Sequence, residues 1–109
     1  MKPFRVLVLT LIVFTILQAD VSFKLLLLRF TKYCPNCRLV GAEIKNVDLE
    51  GANLRNADLR WAALSSVNLN NADLSGANLR YAQLNEVSVQ NTNFCHAILM
   101  DSVQGYCHP

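Results

Sequence analysis

Residues 52–61 read ANLRN and then ADLRW, two units of five residues in which a small residue, an Asn or Asp and a leucine recur in the same order. The same order extends in register over residues 37–101 and makes thirteen units, each with a large apolar residue at its centre. The centres are Leu39, Ile44, Leu49, Leu54, Leu59, Leu64, Leu69, Leu74, Leu79, Leu84, Val89, Phe94 and Leu99. Repetition over so many units identifies a true internal repeat.

A period of five residues fits neither a regular helix nor a straight strand. On an α-helix, which turns by about 100° per residue, the leucines would spread around the whole cylinder. On a strand, an odd period would place successive leucines on opposite faces. Each unit must therefore contain a bend that returns the leucine and the small residue to the inside, as in a coil stacked into a solenoid.

The spacing of less common residues indicates how many units form one coil. Val47, Val67 and Val87 occupy the small-residue position at intervals of twenty residues. The pairs Arg60-Trp61 and Arg80-Tyr81 repeat at the same interval. Twenty residues are four units, so the pattern predicts an all-β, four-sided solenoid in which residues 37–101 make about three coils.

These units resemble the pentapeptide-repeat family, whose repeats read A-(D/N)-L-x-x. The units that match most closely begin with Ala52-Asn53-Leu54, Ala57-Asp58-Leu59, Ala72-Asp73-Leu74 and Ala77-Asn78-Leu79. The resemblance implies a right-handed quadrilateral β-helix. Residues 31–37, TKYCPNC, are also similar to the segment before the first repeat in small exported members. The departures from the repeat are Cys37, Ala63, Thr92 and Ile98.

The first nineteen residues have the pattern of a secretory signal peptide. Lys2 and Arg5 precede an apolar run over residues 6–17, and Ala19 offers a small residue for cleavage. The run is shorter than the ~20 residues that span a bilayer. The sequence therefore predicts export to a periplasm, a thylakoid lumen or the medium. Because Leu17 is large for the position three residues before the cut, an uncleaved membrane anchor is the alternative.

Composition places the whole chain in one small domain. It has 109 residues, 52% of them hydrophobic and 17% charged, which is too apolar for a disordered tail. Ten Lys and Arg residues are too few to indicate nucleic-acid binding, and none is predicted. The net charge is +2, and a chain cut after Ala19 would be neutral. The predicted organisation is a signal peptide over residues 1–19, a helical cap over 20–36, the β-helix over 37–101 and a tail over 102–109. A membrane-associated segment is the alternative for residues 23–30.

Four cysteines follow the predicted cleavage site: Cys34, Cys37, Cys95 and Cys107. In an exported chain, four cysteines indicate two disulfides, for which three connectivities exist. Pairing Cys34 with Cys37 and Cys95 with Cys107 is favoured, because each pair then lies near one end of the repeat. The first pair also has the spacing of a thiol oxidoreductase or half a zinc site. His96 and His108, each next to a cysteine, raise a Cys/His metal cluster as a further alternative.

Residues able to catalyse a reaction are scarce in the sequence. There is no recognisable group of nucleophile, base and acid and no phosphate-binding loop, so no catalytic, cofactor or metal residue is predicted. The Asn or Asp before almost every centre is expected to hydrogen-bond the turn backbones. The exposed ladder of Arg60, Trp61, Arg80 and Tyr81 is the candidate partner-binding site, since these residue types are enriched in interface hot spots. Stacking between coils, without a partner, is the alternative explanation of the ladder.

The sequence thus favours a non-enzymatic structural or protein-interaction solenoid of the cell envelope, with an unidentified protein partner and a possible homodimer through one end. A DNA-mimicking regulator of a type II topoisomerase is the alternative, because some members of the family have that role. Those members are longer and markedly acidic, which this chain is not.

Overall fold

The computed structural model describes residues 21–100 and 104–107. The predicted signal peptide, the last residue of the repeat, Asp101, and His108 therefore lie outside the described residues. The regular elements are a helix, α1, at Val21–Thr31, and three short strands, β1 at Glu43–Lys45, β2 at Ala63–Ser65 and β3 at Gln83–Asn85.

The three strands form one parallel sheet in the order β1-β2-β3. Ile44 pairs with Leu64, and Leu64 pairs with Leu84, so each step along the sheet is twenty residues. Single parallel bridges on the other sides have the same step, for example from Arg38 to Asp58 and on to Asn78. One coil therefore takes four units, as the spacing of the valines predicted.

The bend in each unit is a residue in the left-handed backbone region. From position 36 to position 96, every fifth residue has a positive φ, between 54° and 70°. This corner residue lies two positions after the unit's centre and is most often Asn or Gly, the residues that adopt this conformation at least cost. The corners turn the chain through the coil and keep the centres on its inner side.

The first coil begins earlier than the sequence suggested. Tyr33 bridges Asn53, and the Cys34 amide donates to the Asn53 carbonyl at 2.8 Å. Cys34 is buried at the position that Leu54 occupies one coil later. Residues 32–36 thus form a repeat unit inside the segment assigned to the cap. The unit is hard to recognise because it carries Lys where other units carry Ala, and Cys where they carry Leu.

The core is a column of the centres and the small residues. Centres from Leu39 to Leu79 are at most 3% exposed, because each has a coil or α1 on both sides. Burial declines in the last coil, where Val89 is 41% exposed and Leu84 is only partly buried. A solenoid loses packing where its stacking ends.

Helix α1 lies on the N-terminal end of the core. Leu28 is fully buried there, and Val21 and Leu25 pack against the same core. The helix ends at Thr31, because the next residue, Lys32, has a φ of 54° that breaks the helical path. The Lys32 amide still donates to the Leu28 carbonyl at 2.8 Å. Within residues 21–100 and 104–107, no helix has the length and hydropathy needed to cross a bilayer.

At the other end, residues 104–107 turn back onto the last coil. Gln104 forms an antiparallel bridge with Ile98, and the Gly105 amide donates to the Ala97 carbonyl at 2.7 Å. A disulfide between Cys95 and Cys107 ties this segment to the coil. The bridge, the hydrogen bond and the disulfide therefore hold residues 104–107 against the last coil.

Candidate interaction surface

Four predicted site residues, Arg60, Trp61, Arg80 and Tyr81, lie on one side of the solenoid, which we call the aromatic wall. The Trp61 amide donates to the Arg80 carbonyl of the next coil at 3.1 Å, so the coil register brings the two rings together. Their centroids are 4.3 Å apart and their planes differ by 24°, a stacked arrangement. Trp61 is 62% exposed and Tyr81 is 53% exposed. The predicted ladder is thus a real stack that faces solvent.

Both aromatic residues occupy corner positions and have a φ of 62°. At most other corners of the coils the residue is Asn or Gly, including Asn56, Asn71 and Gly76. A large side chain in the left-handed region is strained by roughly 1–2 kcal/mol. The aromatic pair therefore occupies backbone positions that smaller residues would fill more easily.

The two arginines of the wall differ in their partners. The Arg60 guanidinium makes a two-point contact with Asp58, with Nε 2.8 Å from Oδ1 and the second nitrogen 2.7 Å from Oδ2. This side-chain hydrogen bond lowers the pKa of the Asp58 carboxyl below its usual value, and the Arg60 backbone amide lowers it further. The same pair raises the pKa of Arg60. Within the described residues, the Arg80 side chain has no hydrogen bond or ion pair and stays available to a partner.

Two apolar side chains that the sequence analysis did not single out extend the aromatic wall. Val40 and Met100 are 37% and 40% exposed. They stand directly after the centres Leu39 and Leu99, in the column that Arg60 and Arg80 occupy on the middle coils. The twenty-residue register could have identified both, since each lies twenty residues from one of the arginines.

The recurring Asn and Asp residues have the structural role expected of them. Each accepts a hydrogen bond from the backbone amide two residues later, at 2.9–3.3 Å. The acceptors are Asp48, Asn53, Asp58, Asn68, Asp73, Asn78 and Asn93. At Asp48 the Glu50 amide is the main cause that lowers the carboxyl pKa, and Lys32 contributes. These side chains therefore stabilise the turns of the coil.

The cysteines form two disulfides, Cys34 with Cys37 and Cys95 with Cys107, the pairing favoured by their positions in the sequence. Cys34 takes the place of a unit's centre and Cys37 the small position of the next unit. In every pair of units, the centre of one unit and the small position of the next are three residues apart, and the two cysteines have this spacing. Cys34 is buried inside the coil, whereas thiol exchange needs an accessible sulfur.

The side chains of Cys95, His96 and Cys107 come together, with their potential ligand atoms within 4.8 Å of one another. Metal ions bind the thiolate form of cysteine. Because both cysteines are bonded to each other, the described group offers a metal only the imidazole of His96. Of the predicted alternative cluster, Cys95, His96 and Cys107 thus lie together, but the two cysteines form a disulfide, and His108 lies outside the described residues.

Two cavities lie at the two ends of the described solenoid. One, of about 290 Å³, lies between α1 and the first coil and is lined by Leu25, Ile44 and Val47 among others. The second, of about 450 Å³, lies beside Asn91, Asn93 and the Cys95–Cys107 disulfide. The first lining also contains Ser22, Glu43 and Lys45, and the Lys45 ammonium pairs with the Glu43 carboxylate at 3.2 Å.

Comparisons with known proteins agree with this geometry. The family described as pentapeptide repeats matches residues 36–71 and 57–94, with eight copies, which is more than half of the chain. The chain therefore belongs to the pentapeptide-repeat family, and its repeats imply a right-handed quadrilateral β-helix.

Two solved structures from the cyanobacterium Nostoc PCC 7120 are similar to the chain. The pentapeptide repeat protein alr5209 is 35% identical over 55% of this chain and 54% of its own, with a TM-score of 0.41. HetL, a pentapeptide repeat protein involved in regulating heterocyst differentiation, is 23% identical over 66% of this chain and 51% of its own, with a TM-score of 0.26. The chain thus spans about half the length of each. A search of curated proteins found no match.

Proposed function

We propose that this protein is a non-enzymatic interaction solenoid of the cell envelope that binds a protein partner through the aromatic wall. The observation that carries the proposal is the exposed stack of Trp61 on Tyr81 at two strained corners. Membership of a repeat family whose proteins are generally structural or interaction proteins agrees with this role.

The backbone strain at the two aromatic corners favours partner binding over coil stabilisation as the explanation of the stack. An aromatic pair contributes about 0.5–1.5 kcal/mol beyond its buried area. Placing two large residues at a φ of 62° costs about as much or more. Stacking therefore gives the coil little net stability over Asn at the same corners, whereas a binding role explains why the rings point into solvent.

The chemistry of the aromatic wall fits the centre of a protein interface. Trp, Tyr and Arg are the residues most enriched in hot spots, and the stacked rings lose little conformational entropy on binding because they are already ordered. Arg80 adds a cation without an intramolecular partner among the described residues. Val40 and Met100 supply apolar surface at the two ends of the arginine column, beside the rings. The surface suits a partner that presents an apolar patch with a carboxylate beside it.

The proposal includes the finer architecture. We infer that α1 caps the first coil and that about three coils follow it. The first coil's Leu39 and Ile44 are as well buried as the interior centres, whereas Val89 in the last coil is 41% exposed. We attribute this difference to the two ends: α1 covers the first coil, and the shorter segment of residues 104–107 covers less of the last coil.

The cellular location is also part of the proposal. Two disulfides persist in an oxidising compartment, since cytosolic reductants would keep the thiols reduced. The signal-like residues 1–19 support the same location. We therefore place the protein outside the cytoplasm.

Photo-crosslinking at the aromatic wall tests the partner directly. A benzophenone-bearing phenylalanine is introduced in place of Trp61 in the native cell, and at Lys45 on a neighbouring side as the matched control. We expect a discrete protein adduct from position 61 and none from position 45. The double variant Trp61→Asn/Tyr81→Asn should fail to co-purify that partner yet unfold at the same or a higher denaturant concentration.

The opposite pattern would overturn the proposal. If the Trp61→Asn/Tyr81→Asn variant is clearly destabilised and keeps all its partners, the rings serve coil stacking alone. Equal adducts from positions 61 and 45 would likewise show that the aromatic wall is not a selective surface.

A further inference from the structure

Helix α1 is apolar on two opposite faces, one packed on the solenoid and the other largely exposed, with Phe23 half-buried on that second face. Val21, Leu25 and Leu28 face the core, with Leu28 1% exposed. Leu26, Leu27 and Phe30 lie on the opposite face and are 51%, 44% and 77% exposed. We call these three residues the outer stripe. A helix that only capped a coil would carry polar residues there.

Basic residues flank the outer stripe on both sides. At about 100° per residue, Lys24 lies roughly 110° to one side of the stripe's centre and Arg29 roughly 110° to the other. Helix α1 contains no acidic residue. Lys32, just after the helix, is occupied by contacts to the Glu50 carbonyl at 3.3 Å and to Asp48 at 3.5 Å. Lys24 and Arg29 therefore provide the charge around the stripe.

An apolar stripe with a cation on each flank is the pattern of a helix that lies in a membrane interface. The apolar side chains enter the boundary between headgroups and acyl chains, while Lys and Arg reach up to the lipid phosphates. We propose that the outer stripe docks the α1 end of the solenoid onto the surface of an anionic bilayer, with Lys24 and Arg29 contacting lipid phosphates.

Charge argues for lipid rather than for a second copy of the chain on this stripe. In a symmetric pair the same surface faces itself, so the Lys24 and Arg29 of both copies would gather at one interface without any helix carboxylate to offset them. An anionic surface offsets the same charges. The apolar run at residues 6–17 immediately precedes α1, so a chain that kept it would deliver the stripe to the same bilayer.

A tryptophan moved into the outer stripe tests the docking. Trp61 is the chain's single tryptophan, so Phe30→Trp combined with Trp61→Phe leaves one reporter in the stripe, and the wild type carries the reporter on the aromatic wall. Both full-length proteins are mixed with vesicles of phosphatidylcholine alone or with equal phosphatidylglycerol, made with brominated acyl chains. We expect bromine quenching and a blue shift at position 30, little quenching at Trp61, and roughly tenfold or tighter binding with phosphatidylglycerol.

Two variants show whether the stripe itself causes the binding. In the position-30 reporter protein, Lys24→Gln/Arg29→Gln should remove the preference for phosphatidylglycerol, and Leu26→Ser/Leu27→Ser should reduce the quenching. Both change exposed or half-buried helix positions and should leave the near-ultraviolet circular dichroism unchanged.

Three results would overturn the proposal. Quenching that neither variant changes would show that residues before α1 hold the chain on the vesicle. A blue-shifted reporter at position 30 without vesicles, and without bromine quenching when they are added, would show that protein covers the stripe. Equal quenching at positions 30 and 61 would show nonspecific adsorption.

Discussion

At the scale of single residues, two local devices recur in every coil. A left-handed corner residue bends the chain every five residues, and an Asn or Asp before the centre hydrogen-bonds the amide two residues later. Both need only short polar or small side chains, which explains why Asn, Asp and Gly dominate these positions. Trp61 and Tyr81 are large residues at these corner positions, and the proposed function rests on them.

The Asp58–Arg60 pair predicts a pH-dependent stability. Because the pKa of Asp58 is lowered in the folded chain, its ionised form stabilises the fold above the unfolded pKa of about 3.9, and this contribution is lost as the pH falls through the folded pKa. Asp58→Asn keeps the turn, since Asn78 fills the same position one coil later, and removes only the charge.

Urea denaturation of the wild type and Asp58→Asn at several pH values measures the effect. The free energy of unfolding of the wild type should exceed that of Asp58→Asn by a constant amount from pH 7 down to about 5. This difference should disappear well below pH 4. Asp58→Ala, which also removes the turn acceptor, should remain destabilised throughout. A wild-type advantage over Asp58→Asn that is the same at pH 2.5 and at pH 7 would contradict the role of the ion pair.

At the scale of elements, the two ends of the solenoid are held by different means. Leu28 of helix α1 is buried against the core, with Val21 and Leu25 packed beside it, whereas the last coil is tied to a short return segment by one disulfide. The Gly105 amide bonds the Ala97 carbonyl, and a Cβ on Gly105 would run into the backbone carbonyl of Phe94. The return segment thus approaches the coil more closely than any residue with a side chain could.

Replacing Gly105 by alanine should release the return segment from the last coil. The clash is with backbone, which cannot move aside cheaply, so we expect a loss of about 1–3 kcal/mol of stability. We also expect faster hydrogen exchange at the amide of residue 105, whose bond to Ala97 would open.

Gly51→Ala is the matched control for this change. Gly51 has a φ of +70°, and a Cβ there would meet no atom within 4 Å. Gly51→Ala should lower the free energy of unfolding by about 1 kcal/mol, from the backbone strain at the corner alone. Hydrogen exchange at the amide of residue 105 should stay slow. Unchanged exchange in Gly105→Ala would show that the close approach to Phe94 does not hold the segment.

At the scale of the whole molecule, the chain combines a mildly acidic repeat body, two disulfides and a basic N-terminal region. Residues 1–36 carry five bases and one acid, whereas the rest carries five bases and seven acids. Among the described residues, Lys24, Arg29 and Lys32 place positive charge at the α1 end, where membrane docking is proposed. The aromatic wall lies on the side of the column. One molecule could then contact a bilayer with its end and a protein with its side. Pairing of two chains through an end stays a prediction.

Intact mass spectrometry of the protein from its native cell tests the proposed compartment. Denatured without reductant, the chain should take up no alkylating reagent, because all four cysteines are bonded. After reduction it should gain four alkyl groups, and its mass should correspond to a start at Asp20. Free thiols on a chain that still carries residues 1–19 would contradict export and would reopen the topoisomerase alternative, which a supercoiling assay then tests.

Much of the fold could be predicted from the sequence because each unit encodes its own shape. The corner, the turn-binding Asn or Asp and the inward leucine all lie within five residues, so their repetition specifies the coil. The spacing of the valines at positions 47, 67 and 87 predicted that one coil takes twenty residues. The site residues of the aromatic wall were visible for the same reason, since Arg60-Trp61 and Arg80-Tyr81 share that interval.

Other features depend on which side chains meet across coils, and only the tertiary structure decided them. Cys34 became a core residue because the next coil lies against it, although its unit has lost the repeat pattern. Arg60 was bound by Asp58 while Arg80 stayed without a described partner, a difference that requires side-chain geometry. The outer stripe of α1 could be identified only from the structure, which shows that Leu28 is buried in the core and that the opposite face is exposed. Composition alone cannot tell which apolar face of a helix is buried. Local sequence therefore determined the coil, and long-range packing determined which surfaces remained free to bind.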